Sequence, residues 1–102
     1  MANVLEINSQ KLDSTLIMGV EGRIDTTTSP QFEEAIKSSI EGISALVLDF
    51  AKVEYISSAG LRVLLSTQKA MAKQGGMSLR NVSDEINEIF EVTGFSDILT
   101  IE

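Results

Sequence analysis

The apolar run ALVLDF, from Ala45 to Phe50, limits the folds open to this chain more than any other segment does. Its apolar residues are consecutive rather than alternating with polar ones, a pattern typical of a strand that is covered on both faces. Segments with the apolar spacing of helices precede and follow it. Strands that are joined through helices run parallel to one another. The run therefore predicts an α/β domain, with Asp49 near the end of a central strand.

The segment TTTSPQFEEAIKSSI, from Thr26 to Ile40, carries the start signals of a helix. Thr28 with Gln31 fits a capping box, and Ser29 before Pro30 fits a cap followed by a proline in the first turn. Apolar residues then recur every three or four positions, so we expect one face of this helix to lie on the sheet. These apolar residues are Phe32, Ile36, Ile40 and Ile43.

The other elements follow from similar signals. A second helix is predicted from about Ala59 to Lys73, and a third begins at Ser83 and stops near Gly94. The order β-β-α-β-α-β-α-β predicts one domain over residues 1–102, with a mixed, mostly parallel sheet of about four to five strands and three or more helices. The predicted strands are Val4–Ile7, Thr15–Val20, Ala45–Phe50, residues 77–82 and residues 98–101.

The composition excludes several classes of function. Fifteen acidic and eight basic side chains give a formal net charge of −7, which opposes binding to nucleic acid or to an anionic lipid surface. The chain contains no cysteine and no histidine, so thiolate chemistry and the usual general base are absent. No glycine-rich phosphate-binding motif occurs. We therefore expect a protein that is not an enzyme, holds no cofactor and makes no direct contact with nucleic acid.

The sequence carries no signal for export or for membrane insertion. The segment MANVLEIN has an acid at Glu6 and lacks a basic region followed by an apolar stretch. No apolar run approaches the length of about 18 residues that a membrane-spanning helix needs. We therefore expect a cytoplasmic protein with no membrane insertion.

Three carboxylates raise two alternative functions. Asp25, Asp49 and Glu54 could converge as a site for a hard cation, although isolated acids on an acidic surface are usually solvated. Asp49 also resembles the phosphoacceptor of response-regulator receiver domains. That pattern further requires an acidic pair after the first strand and a lysine after the last strand, and the chain has neither. We therefore expect no metal site and no receiver function.

Two adjacent serines, Ser57 and Ser58, precede the second helix. Either hydroxyl could accept a hydrogen bond from the first turn and stabilise the helix by about 1 kcal/mol. The small residues Ala59 and Gly60 would also let another backbone or a phosphate approach. Arg62 follows one turn later and could lean back toward residue 58. The pair is therefore open to two interpretations, a helix cap or a site that is read or modified by a partner.

Two longer segments contain a family pattern. The run LVLDFAKVEYISSAGLRVLL, with VEGRIDTTTSPQFEEAI upstream, resembles the STAS domain of bacterial anti-sigma factor antagonists over essentially the whole chain. The pattern is an apolar strand ending in Asp, a spaced valine and aromatic residue, and then a serine before a glycine and a leucine. The matching residues are Asp49, Val53, Tyr55, Ile56, Ser58, Gly60 and Leu61, and Gly22, Ile24 and Asp25 match a second element.

The resemblance implies a partner and a switch. Members of this family bind an anti-sigma factor that is itself a serine kinase, and they thereby release a sigma factor. Phosphorylation of the serine two places before the glycine ends the binding, and a serine phosphatase is a further expected partner. In this sequence that serine is Ser58, with Ser57 as the second candidate. The expected partner-binding residues are Asp25, Ser57, Ser58, Ala59, Gly60 and Arg62.

The sequence departs from the family pattern on both sides of Ser58. Many members have Asp directly before the acceptor and a second Ser after it, whereas Ser57 and Ala59 occupy those positions here. An alternative is a STAS subunit of another assembly, such as a membrane transport complex or a stress-signalling particle, in which Ser58 is only a cap. We expect Tyr55 and Ile56, just before the serines, to lie in the core.

Overall fold

The computed structural model describes residues 4–102, and within them four strands form one mixed sheet with three helices. The predicted α/β class and its mixed, mostly parallel sheet are therefore confirmed. None of the helices in this range combines the length and the apolar character that crossing a bilayer requires. The elements are β1 (Glu6–Leu12), β2 (Thr15–Ile24), α1 (Ser29–Lys37), β3 (Ala45–Ile56), α2 (Ser58–Ala72), β4 (Gly76–Arg80), α3 (Asp84–Thr93) and a 3-10 turn (Phe95–Asp97).

The strands lie in the sheet in the order β1-β2-β3-β4. β1 and β2 form an antiparallel hairpin, and Asp13 at its turn has a positive φ of 56°. β2, β3 and β4 are parallel, because a helix crosses between each pair. The register of β2 against β3 shifts at two places, the second between Gly22 and Arg23. After these shifts Ile24 pairs with Ile56, so β2 and β3 end at the same edge of the sheet.

The core lies between the helices and one face of the sheet. Along β3, Leu46, Leu48 and Phe50 are buried, while the side chains between them are only half-buried. The prediction that both faces of this strand are covered was therefore wrong. The half-buried positions include Ala45 and Val47, and their apolar side chains make the run look continuous in the sequence. The other core residues include Met18, Phe32, Ile36, Leu64, Met71, Leu79, Ile86 and Phe90.

The predicted strands have other bounds in the structure, and one of them, β2, continues past Val20 to Ile24. The polar segment after Ile7 was expected to connect two strands, but it forms most of β1. An edge strand that is exposed along most of its length tolerates polar residues, since only one neighbour pairs with it. β3 continues past Phe50 to Ile56, because β2 pairs with it along this extension. The predicted last strand is reduced to a single bridge between Leu79 and Ile101.

The helix ends agree with the sequence except at α1. Ser83 caps α3 by accepting a hydrogen bond from the Ile86 N–H group at 3.2 Å, and Gly94 ends that helix with a φ of 83°. The predicted capping box at Thr28 and Gln31 does not form. Instead, the Gln31 amide accepts from the Leu5 N–H group at 3.1 Å and donates to the Leu5 carbonyl at 2.8 Å. The side chain of Gln31 therefore ties the segment before β1 to α1.

Gly60 determines how closely α2 approaches the sheet. A Cβ atom at this buried position would lie 2.6 Å from Cγ2 of Ile24 and 2.7 Å from Cγ1 of Ile56. Gly60→Ala should therefore lower the free energy of unfolding by about 1–3 kcal/mol, because overpacking outweighs the higher helix propensity of alanine. Guanidinium denaturation followed by circular dichroism measures this loss.

Gly76→Ala is the matched control, since a Cβ atom there would meet nothing within 4 Å. We expect this variant to change the free energy of unfolding by less than about 0.5 kcal/mol. Equal losses in the two variants would contradict the tight packing of α2 on Ile24 and Ile56.

Candidate partner-binding site

The candidate site lies where β2 and β3 end side by side. The Ser57 N–H group donates to the Ile24 carbonyl at 2.8 Å, so the segment after β3 stays attached to the end of β2. Asp25 follows β2, and Ser57 and Ser58 follow β3. Loops at the carboxyl ends of parallel strands are the usual place for binding residues in α/β folds. The fold thus brings three of the predicted site residues to one edge.

The two serines have different structural roles. Ser57 is the N-cap of α2, with φ −95° and ψ 176°, and its Oγ accepts a hydrogen bond from the Gly60 N–H group at 3.5 Å. Ser58 is the first residue of the helix and is exposed. Its hydroxyl makes no hydrogen bond to any residue from 4 to 102. The helix cap is therefore Ser57, and the Ser58 hydroxyl is available to a partner.

The electrostatic setting of Ser58 is that of a helix N-terminus. The first turn of α2 contains no acidic residue. Its unpaired N–H groups and the helix dipole give this end a partial positive charge, which stabilises anions. An anionic group added at Ser58 would therefore be compatible with the folded helix.

Asp25 orders the loop that leads into α1. Its Oδ1 accepts hydrogen bonds from the N–H groups of Thr27 at 3.0 Å and Thr28 at 3.1 Å. The Thr28 hydroxyl also donates to the Arg23 carbonyl at 2.6 Å, and the Ser29 hydroxyl donates to the Asp25 carbonyl at 2.6 Å. Asp25 therefore shapes the surface beside the serines by fixing this loop.

Gly60 and Ala59 differ in their exposure to solvent. Gly60 is buried, and its small size is required by the contact with Ile24 and Ile56. The sequence-based explanation, that a small residue here lets an outside group approach, was therefore wrong for Gly60. Ala59 is half-buried and lines a cleft of roughly 380 Å³ between α1 and α2, together with Arg62.

A second groove, of roughly 310 Å³, lies on the other side of Arg62. It runs between α2 and the end of α3, and most of its wall is apolar. Arg62 therefore lies on the ridge between the two clefts and is exposed to both. The groove is lined by Ser58, Leu61, Arg62, Leu65, Thr93 and Phe95.

The structure exposes one residue that we expected in the core. Ile56 is buried, but Tyr55 is 37% exposed. The Arg23 guanidinium lies over its ring, 4.6 Å from the centroid. Tyr55 and Arg23 are paired across β2 and β3, so both belong to the edge of the sheet that carries the serines. The sequence did not predict the exposure of Tyr55. Glu54 and Tyr55 are exposed in succession, which departs from the alternation of buried and exposed residues along a strand.

Asp49 lies apart from this edge. It is in the middle of β3, with the half-buried side chains that face away from the core. Its carboxylate accepts hydrogen bonds from the Ala51 N–H group at 3.0 Å, the Asn81 amide at 3.1 Å and the Arg80 guanidinium at 3.3 Å. Partial burial raises the pKa of Asp49, but these hydrogen bonds and the charge of Arg80 outweigh it and lower the pKa below its usual value.

The two alternative functions of the carboxylates gain no geometric support. β3 continues beyond Asp49, which is therefore not at the strand end where a receiver phosphoacceptor would lie. Asp49 is held by its own hydrogen-bond partners instead. Among residues 4–102, no group of three or more acidic side chains is arranged to hold a metal ion.

Comparison with known proteins identifies the family of this chain. The family model of the STAS domain matches residues 6–102, and the chain belongs to this family. It is 36% identical over 101 residues to the anti-sigma-B factor antagonist of Listeria monocytogenes, and the alignment covers 96% of this chain and 87% of that protein. The anti-sigma-B factor antagonist of Bacillus subtilis is 29% identical over 98 residues, with 95% and 90% covered.

A solved structure shows the same architecture. The crystal structure of an anti-sigma factor antagonist from Mycobacterium paratuberculosis superimposes with a TM-score of 0.87 at 26% sequence identity. The match covers 95% of this chain and 84% of that chain. The family resemblance that the sequence pattern indicated is therefore confirmed.

The separate roles of the two serines predict different effects on stability. Ser57→Ala removes the helix cap and should lower the free energy of unfolding by about 0.5–1 kcal/mol, at the low end for a cap because the hydrogen bond is long. Ser58→Ala removes a hydroxyl with no partner in the described chain and should change stability by less than about 0.5 kcal/mol. Chemical denaturation of both variants makes the comparison, and a larger loss for Ser58→Ala would contradict the assignment of the cap.

The lowered pKa of Asp49 predicts a stability difference that depends on pH. Asp49→Asn should lower the free energy of unfolding at neutral pH, because it removes the charge that pairs with Arg80. The loss should be only roughly 0.5 kcal/mol, since the pair is partly exposed to solvent. A carboxylate with a lowered folded-state pKa stabilises above its unfolded-state pKa, and this contribution disappears as the pH falls through the folded-state value. The difference in stability between the variant and wild type should therefore be full at about pH 7 and should shrink as the pH is lowered through the acidic range.

Glu88→Gln is the control for Asp49→Asn, since Glu88 is exposed and makes no salt bridge within residues 4–102. Its effect on stability should be small at both pH values. A loss in Asp49→Asn that does not shrink as the pH is lowered would contradict a role for the charge of Asp49.

Proposed function

We propose that this protein is an anti-sigma factor antagonist that binds an anti-sigma factor with serine kinase activity and is switched off by phosphorylation of Ser58. The observation that carries the proposal is the exposed Ser58 hydroxyl, which has no hydrogen-bond partner within residues 4–102 and occupies the acceptor position of the family pattern. The matches to anti-sigma-B factor antagonists along nearly the whole chain support the same role.

The environment of the two serines favours Ser58 as the acceptor over Ser57. Ser57 is half-buried, and its Oγ accepts the hydrogen bond from Gly60 that caps α2. A kinase would have to break this cap before it could transfer a phosphoryl group to Ser57. Modification of Ser58 requires no such loss, because its hydroxyl makes no hydrogen bond within residues 4–102.

The chemistry of the transfer belongs to the partner. A serine hydroxyl becomes a phosphoryl acceptor only with a base and a positioned, metal-bound nucleotide. This chain has no histidine and no phosphate-binding loop, so we propose that it is a substrate and a binding module rather than an enzyme. A serine phosphatase would restore the hydroxyl, and the cycle would take place in the cytoplasm, where sigma factors act.

A phosphate at Ser58 would weaken partner binding without unfolding the domain. It adds roughly −1.5 to −2 charges, and the N-terminus of α2 stabilises such an anion by about 0.3–2 kcal/mol. In an interface, the same group would have to be buried without a partner, at a cost of several kcal/mol. A loss of about 4 kcal/mol already lowers the affinity a thousandfold. The domain would stay folded while the complex dissociates.

A pull-down from the native cell tests the proposed switch. The baits are wild type, Ser58→Ala, Ser58→Asp and the matched control Ser57→Asp, and mass spectrometry identifies what each bait retains. An anti-sigma factor with a kinase domain should be retained by all except Ser58→Asp, since a carboxylate at residue 58 introduces a charge into the interface. Ser57→Asp should bind, because aspartate is also a good helix cap and many family members have it there.

The pattern of retention among the four baits also distinguishes the proposed switch from the alternative function. Equal retention of one partner by all four baits would contradict the switch and favour a constitutive STAS subunit of another assembly. Circular dichroism of the four baits must show equal folding, so that release by Ser58→Asp can be attributed to the interface.

A further inference from the structure

Arg62 is placed to reach a phosphate on Ser58. The two residues are four positions apart in α2, so they are neighbours on one side of the helix. Helical side chains lean toward the N-terminus, which directs the guanidinium of Arg62 back toward the first turn. Both residues also line the groove between α2 and the end of α3.

No acidic side chain within residues 4–102 forms a salt bridge with Arg62. Within residues 4–102, the salt bridges join Lys37 to Glu33, Lys52 to Glu21 and Arg80 to Asp49, and none involves Arg62. Glu33 lines the same α1–α2 cleft as Arg62, but it lies 3.8 Å from Lys37. Arg62 is therefore an exposed cation without an ion-pair partner in the described chain.

We infer that Arg62 binds the phosphate of phosphorylated Ser58, and that the same guanidinium contacts the anti-sigma factor when Ser58 is unmodified. This inference rests on the function proposed above. A guanidinium can donate two parallel hydrogen bonds to a phosphate, and an anion four residues before a cation is the favourable order on a helix. The N–H groups of the first turn would bind the other phosphate oxygens.

The residues that line the groove beside Ser58 indicate which chemical groups a complementary partner surface would carry. Arg62 is the one charged residue among those that line it, and Leu61, Leu65 and Phe95 supply most of the remaining wall. The complementary surface of the anti-sigma factor would insert an apolar side chain into this groove and direct a carboxylate at Arg62. Phosphorylation would then act twice, because it places an anion in the groove and occupies the cation that the partner needs.

Phosphorus NMR tests the internal pair without any partner. Phosphoserine is introduced at residue 58 by suppression of a stop codon in wild type, Arg62→Gln, Arg62→Lys and Lys69→Gln. The second pKa of the phosphate should be lower in wild type than in Arg62→Gln by about half a unit, because a bound cation favours the dianion. Arg62→Lys should keep part of this shift, since lysine retains the charge but not the fork geometry.

Lys69→Gln is the control for a general charge effect. Lys69 is a second exposed cation of α2 without a salt bridge in residues 4–102, and it lies beyond the first two turns. This variant should titrate as wild type does. The neighbouring acids Asp25 and Glu33 are present in every variant, so they do not affect the comparison. Identical titrations of wild type and Arg62→Gln would overturn the phosphate contact.

Binding measurements test the second part of the inference. With the anti-sigma factor captured in the pull-down, unphosphorylated Arg62→Gln should bind about tenfold more weakly than wild type, and Lys69→Gln within about twofold. Equal affinities of Arg62→Gln and wild type would overturn the contact between Arg62 and the partner. If no kinase is captured at all, the proposed function fails, whereas the NMR titration still decides the phosphate contact by itself.

Discussion

The close contact of α2 with the ends of β2 and β3 is the constraint on which the site depends. Gly60 packs against Ile24 and Ile56, which are paired across the two strands. The absence of a side chain at Gly60 lets the first turn of α2 begin directly at the sheet, so Ser57 can cap the helix while its N–H group bonds to the end of β2. Ser58 is then the first residue beyond this rigid junction. In the proposed function, a partner would meet its hydroxyl at a fixed position, and a phosphate there could not be withdrawn into the fold.

The same junction explains why two identical side chains have different roles. Ser57 and Ser58 differ by one position along the chain, but the first has extended backbone angles and the second is helical. An extended residue before a helix directs its oxygen at the N–H groups of the first turn, whereas a residue at the first helical position directs its side chain outward. The sequence could show that one serine was a cap and could not show which one, because that depends on the exact residue at which β3 ends.

Local signals predicted the class of fold and the helices, since capping residues and apolar periodicity act over a few residues. Ser83 and Gly94 end α3 as expected. The errors arose where distant segments decide the outcome. The extension of β3 to Ile56 depends on β2, and Gln31 bonds to the backbone of Leu5 rather than to its own helix. The partial exposure of one face of β3 depends on where the helices pack, which a run of apolar residues does not specify.

The charge of the whole chain indicates that a phosphate at Ser58 would have to act locally. The protein already carries a formal net charge of −7, so one more phosphate changes its long-range field only modestly. At physiological ionic strength, charges more than about 8 Å apart on the surface are largely screened from each other. Any strong effect on binding must therefore come from groups within a few ångströms of residue 58. Those groups include the N–H groups of one helical turn, an apolar groove and Arg62, and Arg62 is the one charged side chain that lines this groove.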